Sequence, residues 1–509
     1  MALSLISHTN AGKTTLARTL LQRDIGEVRD APHVTEFAED HLLMRTTGGD
    51  ELRLWDTPGF GDTVRLVQRL QREGTAVGWF LSEVWDRWRD RPFWSSQQAL
   101  KHVREHADVV LYLVNAAESP EAAAYVRPEM QLLQWMGRPV IVLLNQLGAA
   151  RSPAEEAADV GRWTRHLQPW PDVRHVMPLD AFARCWVQEA ALLAAVAEVL
   201  PVSSQAAMAA LRETWLAQRL QVFDAATGVL AKTLAEVACA RVPLEGGGGA
   251  AAALRQVAQR LGRWFGQAEA GADDAVSRAQ AQLVTQLDEA VRASTAELIR
   301  LHGLQGRAEG EILARVAQQI ELAPRVDEGR AALIGGALTG ALAGLKADIA
   351  TGGLTLGGGL LAGGLLGALG AAGLARGLNI VRGGGPPWAG WSAEAMTPIV
   401  EAALLRYLAV AHFGRGRGDW AQGEAPAHWQ PLVARLLRQR QADWLALWRG
   451  RASRLDAPGE AHRLQGPLQA LVYASLRDAL IQLYPEAVPP AWQMAVQAQA
   501  HNRADQSAT

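Results

Sequence analysis

Ser7-His8-Thr9-Asn10-Ala11-Gly12-Lys13-Thr14, followed further on by Asp56-Thr57-Pro58-Gly59, decides how this chain is read. The first stretch closes an apolar run from Ala2 to Ile6 and opens an amphipathic one with Leu16, Leu20 and Leu21. That succession predicts strand, loop and helix, the setting a phosphate-binding loop requires. Backbone N–H groups of such a loop, Ser7 to Thr15 here, and of the helix N-terminus point at the phosphates. Lys13 is then the ammonium for the β- and γ-phosphates, and Thr14 places its hydroxyl on Mg²⁺. Asp56 ends a second strand-like run, Glu51 to Trp55, and holds the same ion through a water. Both segments, in this order and each at a strand end, predict a nucleoside triphosphatase.

The composition supports the special role of Lys13. The chain has only four lysines, Lys13, Lys101, Lys232 and Lys346, yet one stands inside the loop. A compact ammonium on a flexible stem fits there, where a planar guanidinium does not. The formal net charge of −2 gives no global attraction to nucleic acid, and no specific nucleic-acid partner is indicated. Two cysteines, Cys185 and Cys239, form neither a disulfide framework nor a metal cluster and fit a reducing cytoplasm. The sequence starts directly on the first candidate strand, so a cytoplasmic protein without a signal peptide is expected.

Residues 1–190 alternate strands and helices, with candidate strands at 2–7, 41–47, 51–56, 108–115, 139–145 and 174–179. The runs D-V-V-L-Y-L-V-N and P-V-I-V-L-L-N are continuously apolar, as parallel strands covered on both faces are. An α/β, doubly wound domain follows, with its ligand at the carboxyl ends of the strands. From 195 to 330 helical periodicity takes over and strand signals vanish. Long helices are expected at 203–240 and 250–302, parted by Glu245-Gly246-Gly247-Gly248-Gly249. Residues 331–380 form a glycine-rich apolar segment, and 381–509 return to helices.

T-N-A-G-K-T with D-T-P-G resembles the Era/TrmE-like branch of translation-factor-related GTPases. The layout resembles a bacterial group of such GTPases that carries a helical C-terminal domain of unknown function. The resemblance implies a P-loop GTPase domain over 1–190, with GTP as substrate and Mg²⁺ as cofactor. It puts Thr35 at switch I, completing the Mg²⁺ shell, with Lys13, Asp56 and Gly59 as the other catalytic positions. A turn role for Thr35 is the plainer reading. Asn10 matches a position that binds K⁺ in some members; a plain loop cap is the other reading. Phe60 follows Gly59, where Ras-like proteins carry the glutamine that orients the attacking water. Slow intrinsic hydrolysis is therefore expected, accelerated by a cation, a partner, or a homodimer across the nucleotide face.

Three positions depart from the pattern. Ser7 replaces the glycine that usually opens the loop, a residue chosen for its freedom at φ > 0. The guanine-reading N-K-x-D appears as Asn145-Gln146-Leu147-Gly148. Asn145 can still contact the base, with Gln146 beside it as a further candidate, but the aspartate that would bind the guanine edge is gone, a loss of about 3 kcal/mol of base preference. Asp180, in Leu179-Asp180-Ala181-Phe182, is either a substitute acceptor or a helix N-cap. His8, within the loop, is a candidate nucleotide contact.

Beyond the loop, Trp79, Trp85, Trp88, Phe93 and Trp94 interleave with charged residues, which reads as a docking insertion or as packing against the helical half. Within 331–380, Gly336, Gly340 and Gly344, then Gly359, Gly363, Gly367 and Ala371, recur every four residues. Glycines at that density cost a helix in water about 1 kcal/mol each, whereas in lipid they let helices approach closely. A glycine-zipper hairpin that engages membrane lipid is the leading reading, beside a buried soluble hairpin and a flexible linker. Residues 432–455 read as one basic helix bearing Trp444 and Trp448, on a membrane surface or over a core.

The whole reads as a GTP-hydrolysing switch coupled to a helical, membrane-engaging region. The alternatives are a nucleotide-dependent scaffold with little hydrolysis and an ATP-preferring enzyme of membrane remodelling.

Overall fold

The computed structural model describes residues 1–8, 11–21, 39–57, 63–72, 91–145, 153–180, 185–243, 275–304, 378–381, 388–412, 428–452 and 459–493. The chain divides into two compact units. One holds residues 1–221, 411–426 and 480–509, the other 222–410 and 427–479.

The first unit is built on a six-stranded sheet. Its strands are β1 (Ala2–Ser7), β2 (Glu39–Arg45), β3 (Glu51–Asp56), β4 (Val109–Asn115), β5 (Val140–Asn145) and β6 (Val173–Pro178). They lie in the order β2-β3-β1-β4-β5-β6, and only the β2–β3 pair is antiparallel. Every residue of β5, and all of β4 but Asn115, is buried, which is why both strands read as unbroken apolar runs. The helices are α1 (Lys13–Leu21), α2 (Thr63–Arg72), α3 (Arg91–His106), α4 (Val126–Met136), α5 (Pro153–Leu167), α6 (Trp186–Val199) and the first part of α7 (Val202–Ala238). Leu66, Phe93, Leu100, Met130, Leu133 and Trp163 pack with Ile6, Val110, Val114 and Val142 in one core. Phe93, in the stretch read as a docking insertion or as packing on the helical half, belongs to the interior of the first unit, beneath the guanidinium of Arg65 at 4.1 Å. The candidate strands agree with the observed ones to within two residues, and the sheet is the doubly wound one expected.

Strand order places β1 between β3 and β4, and the ends of β1, β3, β4 and β5 open on the same edge. That edge is the topological switch point where an open α/β sheet leaves a crevice.

The second unit is mostly helical: the rest of α7, α8 (Ala275–Leu301), α9 (Ala393–Ala411), α10 (Trp429–Gln439), α11 (Gln441–Ala452) and most of α12 (Glu460–Leu483). Two expectations are corrected here. Strands do not end with the first domain. β7 (Val242–Pro243), β8 (Leu378–Val381) and β9 (Trp388–Trp391) form an antiparallel sheet in the order β7-β9-β8. Gly390 lies inside β9. A side chain there would meet Trp388 at 2.9 Å and the Ala240 carbonyl at 3.0 Å, so the close approach demands glycine. The single basic helix expected over 432–455 is two helices, α10 and α11, meeting at Arg440, whose guanidinium pairs with Asp478.

Trp444 and Trp448 are buried and stacked, ring centres 5.9 Å apart, so they are core and not a membrane face. Arg451 is buried beside them and donates to the carbonyls of Ala238 at 3.1 Å and Trp391 at 3.0 Å. Of the hairpin expected over 331–380, residues 331–377 lie outside the described residues, and 378–380 belong to β8 instead. Among the described residues, no helix is long and apolar enough to cross a membrane.

Candidate functional site

The loop between β1 and α1 turns at Gly12, whose φ of +88° only glycine adopts without strain. Ser7 is fully buried as the last residue of β1, in register with Leu113. It therefore sits in extended backbone, which any residue adopts without strain. Its hydroxyl accepts from Lys13 Nζ at 3.1 Å. Lys13, first residue of α1, is buried, and burial pulls its ammonium below the usual lysine range. The carboxylates of Asp56 and Glu129 act in the opposite sense.

β3 delivers Asp56 to the same place. Thr14 Oγ1 donates to Asp56 Oδ2 at 2.6 Å. The next residue, Thr57, donates its hydroxyl to the carbonyl of Leu5 and locks the end of β3 to β1. A hydroxyl and a carboxylate side by side are hard oxygen donors, the kind of set that suits Mg²⁺. Ala11 and Thr15 are buried under the loop.

β5 contributes Asn145, fully buried, whose amide donates to the carbonyl of Ala11 at 2.7 Å. Asp180 follows β6 and is buried as well. The next helix, α6, starts at Trp186 with Cys185 as its N-cap, and the Cys185 amide donates to Gln188 Oε1 at 2.9 Å. Capping of α6 thus falls to Cys185. Thr9, Asn10, Thr35, Gly59 and Gln146 lie outside the described residues.

A further set of residues was not read from the sequence. Glu129 of α4 is fully buried behind the loop. It accepts from Tyr112 Oη at 2.6 Å and from Thr63 Oγ1 at 3.3 Å, and its Oε1 lies 2.8 Å from His8 Nδ1. His8 also stacks on Tyr125, ring centres 4.6 Å apart. Burial drives the Tyr112 phenol well above its ordinary pKa and pushes Tyr125 up to about 12. The available signal was an acidic residue on the apolar face of V-R-P-E-M-Q-L-L, in line with Leu132 and Leu133.

With Lys13, Thr14 and Asp56 so arranged, the comparison with known proteins is direct. Residues 3–146 match the family described as 50S ribosome-binding GTPase. This segment is a P-loop GTPase domain. None of the curated proteins matches the sequence. Among solved structures, Era of Aquifex aeolicus bound to GDP·AlF4⁻ is similar at 18% identity, over 39% of this chain and 56% of that one, with a TM-score of 0.28. The chain thus spans little more than half the length of that Era. NFeoB from S. thermophilus with bound mGMPPNP matches at 16% identity, over 58% of this chain and 88% of that one, with a TM-score of 0.23. A bacterial dynamin pair described as tethering membranes matches at 10% identity over 99% of this chain and 88% of that one, with a TM-score of 0.23. The assignment of the GTPase domain rests on residues 3–146 and their geometry.

Proposed function

We propose that the N-terminal domain binds GTP with Mg²⁺ and hydrolyses it slowly, as a switch for the helical remainder of the chain. The observation that supports this best is the meeting of three side chains: Lys13, buried at the head of α1, and Thr14 bonded to Asp56. A triphosphate gives the desolvated ammonium its counter-charge. The backbone amides after Gly12 and the α1 N-terminus add donors for the phosphate oxygens. Thr14 and Asp56 would hold Mg²⁺, with Thr35 completing the shell, and the ion would supply positive charge beside the phosphate oxygens. Asn145 and Gln146 are assigned to the base side of the pocket. Asp180, buried at the end of β6, is assigned to the guanine edge in place of the aspartate missing at Gly148. Asn10 is the proposed K⁺ ligand. Lacking a glutamine at Phe60, the site relies on that ion or on a second copy docked across the nucleotide face for speed.

The helical part is proposed to respond to the nucleotide, and the glycine-rich segment before β8, residues 331–377, to engage the cytoplasmic face of a membrane as a glycine-faced hairpin. Gly148 also supports a second reading, an enzyme that takes ATP, and Phe60 a third, a scaffold that binds without turnover. Binding of labelled GTP and ATP with Mg²⁺, in K⁺ and in Na⁺, together with phosphate release, decides among them. GTP preference with K⁺-stimulated release supports the switch. Equal binding of both nucleotides favours the ATP-accepting enzyme, and binding without release favours the scaffold. Flotation of the full chain with anionic vesicles tests the hairpin, and protein that stays unbound to lipid removes the membrane role.

A further inference from the structure

Glu129 is a buried carboxylate that the phosphate chemistry does not use, yet it touches both the phosphate loop and α2. Its Oε1 meets His8, in the loop, and Thr63, the first residue of α2. Its Oε2 takes the Tyr112 hydroxyl from β4. β4 is interior sheet and fixed, so that third bond anchors the carboxylate. Thr63 follows directly on the segment that begins at Thr57, whose own hydroxyl is tied to β1. One end of that segment is therefore fixed to the sheet, and the other is bonded to a group shared with the loop. A buried carboxyl group is held only while its partners stay in place. Loss of one donor raises the need for the others, which makes the two contacts interdependent.

We propose that Glu129 is a positioning residue that couples the phosphate loop to α2 through His8 and Thr63. A triphosphate seated in the loop thereby favours one placement of α2 over another. The inference rests on the nucleotide-switch reading of the site and adds the element by which γ-phosphate occupancy is felt outside it. Discrimination between triphosphate and diphosphate is the quantity it controls.

The test is a double-mutant cycle in the full chain: wild type, His8→Phe, Thr63→Val and the double variant. The readout is the ratio of affinities for a fluorescent non-hydrolysable GTP analogue and for fluorescent GDP, with Mg²⁺. His8 and Thr63 are bonded through Glu129, so their effects on the ratio are expected to be non-multiplicative by more than about twofold, the limit for independent sites. Factors that multiply to within about twofold overturn the coupling. Direct contact of His8 with nucleotide cancels in the cycle, and a merely structural loss does not move the ratio. A second arm needs no nucleotide. In Glu129→Gln, amide exchange is expected to speed up both in the first turn of α1 and at the start of α2; acceleration confined to α4 overturns the proposal. Should the wild type bind neither GTP nor GDP, the switch reading falls, and the exchange arm alone still judges the link.

Discussion

The side-chain amide of Asn145 donates to the carbonyl of Ala11 at 2.7 Å, joining the end of β5 to the phosphate loop across 134 positions of sequence. Asn145 is fully buried, and its own carbonyl accepts from the amide of Ala116 beyond β4 at 2.8 Å. The residue that the sequence marks as a base reader therefore also fastens the loop. That second duty is independent of which base is bound. It gives a physical reason for an asparagine at 145 in a chain where the rest of the guanine motif is absent.

Asn145→Ala should weaken GTP and ATP binding by a similar factor. A lost buried hydrogen bond with an orphaned carbonyl is worth about 1–3 kcal/mol, or roughly ten- to a hundredfold in affinity. Competition titrations of both nucleotides measure it. A loss confined to GTP would instead assign Asn145 to the base alone.

Asp180→Asn tests the guanine edge separately. If Asp180 replaces the missing acceptor, GTP affinity falls about tenfold or more while ATP affinity holds, since a charged hydrogen bond is worth about 1.5–3 kcal/mol. Equal behaviour of both nucleotides in this variant would leave base selection to other groups.

Lys13→Met should separate binding from folding. Two charge-assisted contacts to phosphate at about 1.5–3 kcal/mol each predict at least a hundredfold loss of nucleotide affinity. Without nucleotide the outcome runs the other way. Burial lowers the Lys13 pKa, so between that lowered value and 10.5 the unfolded chain binds more protons than the folded one. The contribution of this group to stability then rises with pH across that window, and below it the buried charge is a standing cost. Thermal unfolding of the nucleotide-free variant should show a melting temperature equal to or above that of the wild type. A fall of several degrees would mean that Asp56 and Glu129 hold the ammonium more strongly than burial opposes it.

The fold of the first unit was legible because its signals are local. Ala2–Ser7 and Val140–Asn145 are apolar runs bounded by turn residues, and Gly12-Lys13-Thr14 can be read without knowing what lies opposite. Glu129 was not legible as a site residue, because its meaning comes from His8, Thr63 and Tyr112, three residues distant in sequence. β9, expected as helix, was not legible for a related reason. Glycine reads as a break until the ring of Trp388 and the Ala240 carbonyl are seen against it. Between a membrane surface and a core for Trp444 and Trp448 the sequence could not choose, because periodicity marks an apolar stripe without saying what covers it, and here the unit's own core does.

Arg451→Met should destabilise the second unit. The guanidinium spans two backbone carbonyls, Ala238 at the end of α7 and Trp391 at the end of β9. Removing it orphans both acceptors in a buried place, at about 1–3 kcal/mol each. Chemical denaturation should show a matching loss in the transition of the helical unit. Arg451→Lys should recover only part of it, since one ammonium replaces a planar fork that reaches both acceptors. Full recovery by lysine would mean that charge alone matters there.

Arg406 makes the opposite case. It is buried in α9, burial alone lowers its pKa to about 10, and its Nε has no hydrogen-bond partner among the described residues. A guanidinium stays protonated at neutral pH even at that value, so its charge is carried into the core without a described counter-charge. Replacing a buried ion with an apolar side chain of similar volume is often neutral or stabilising, by about 1–4 kcal/mol. Arg406→Met is therefore expected to raise the denaturation midpoint of the helical unit or leave it unchanged, while Arg451→Met lowers it. The contrast between two buried arginines in one unit is the decisive measurement, because a general intolerance of substitution would lower both. A large loss in Arg406→Met would show that an acidic group balances this charge, and a survey of acid-to-amide variants for the same loss would identify it.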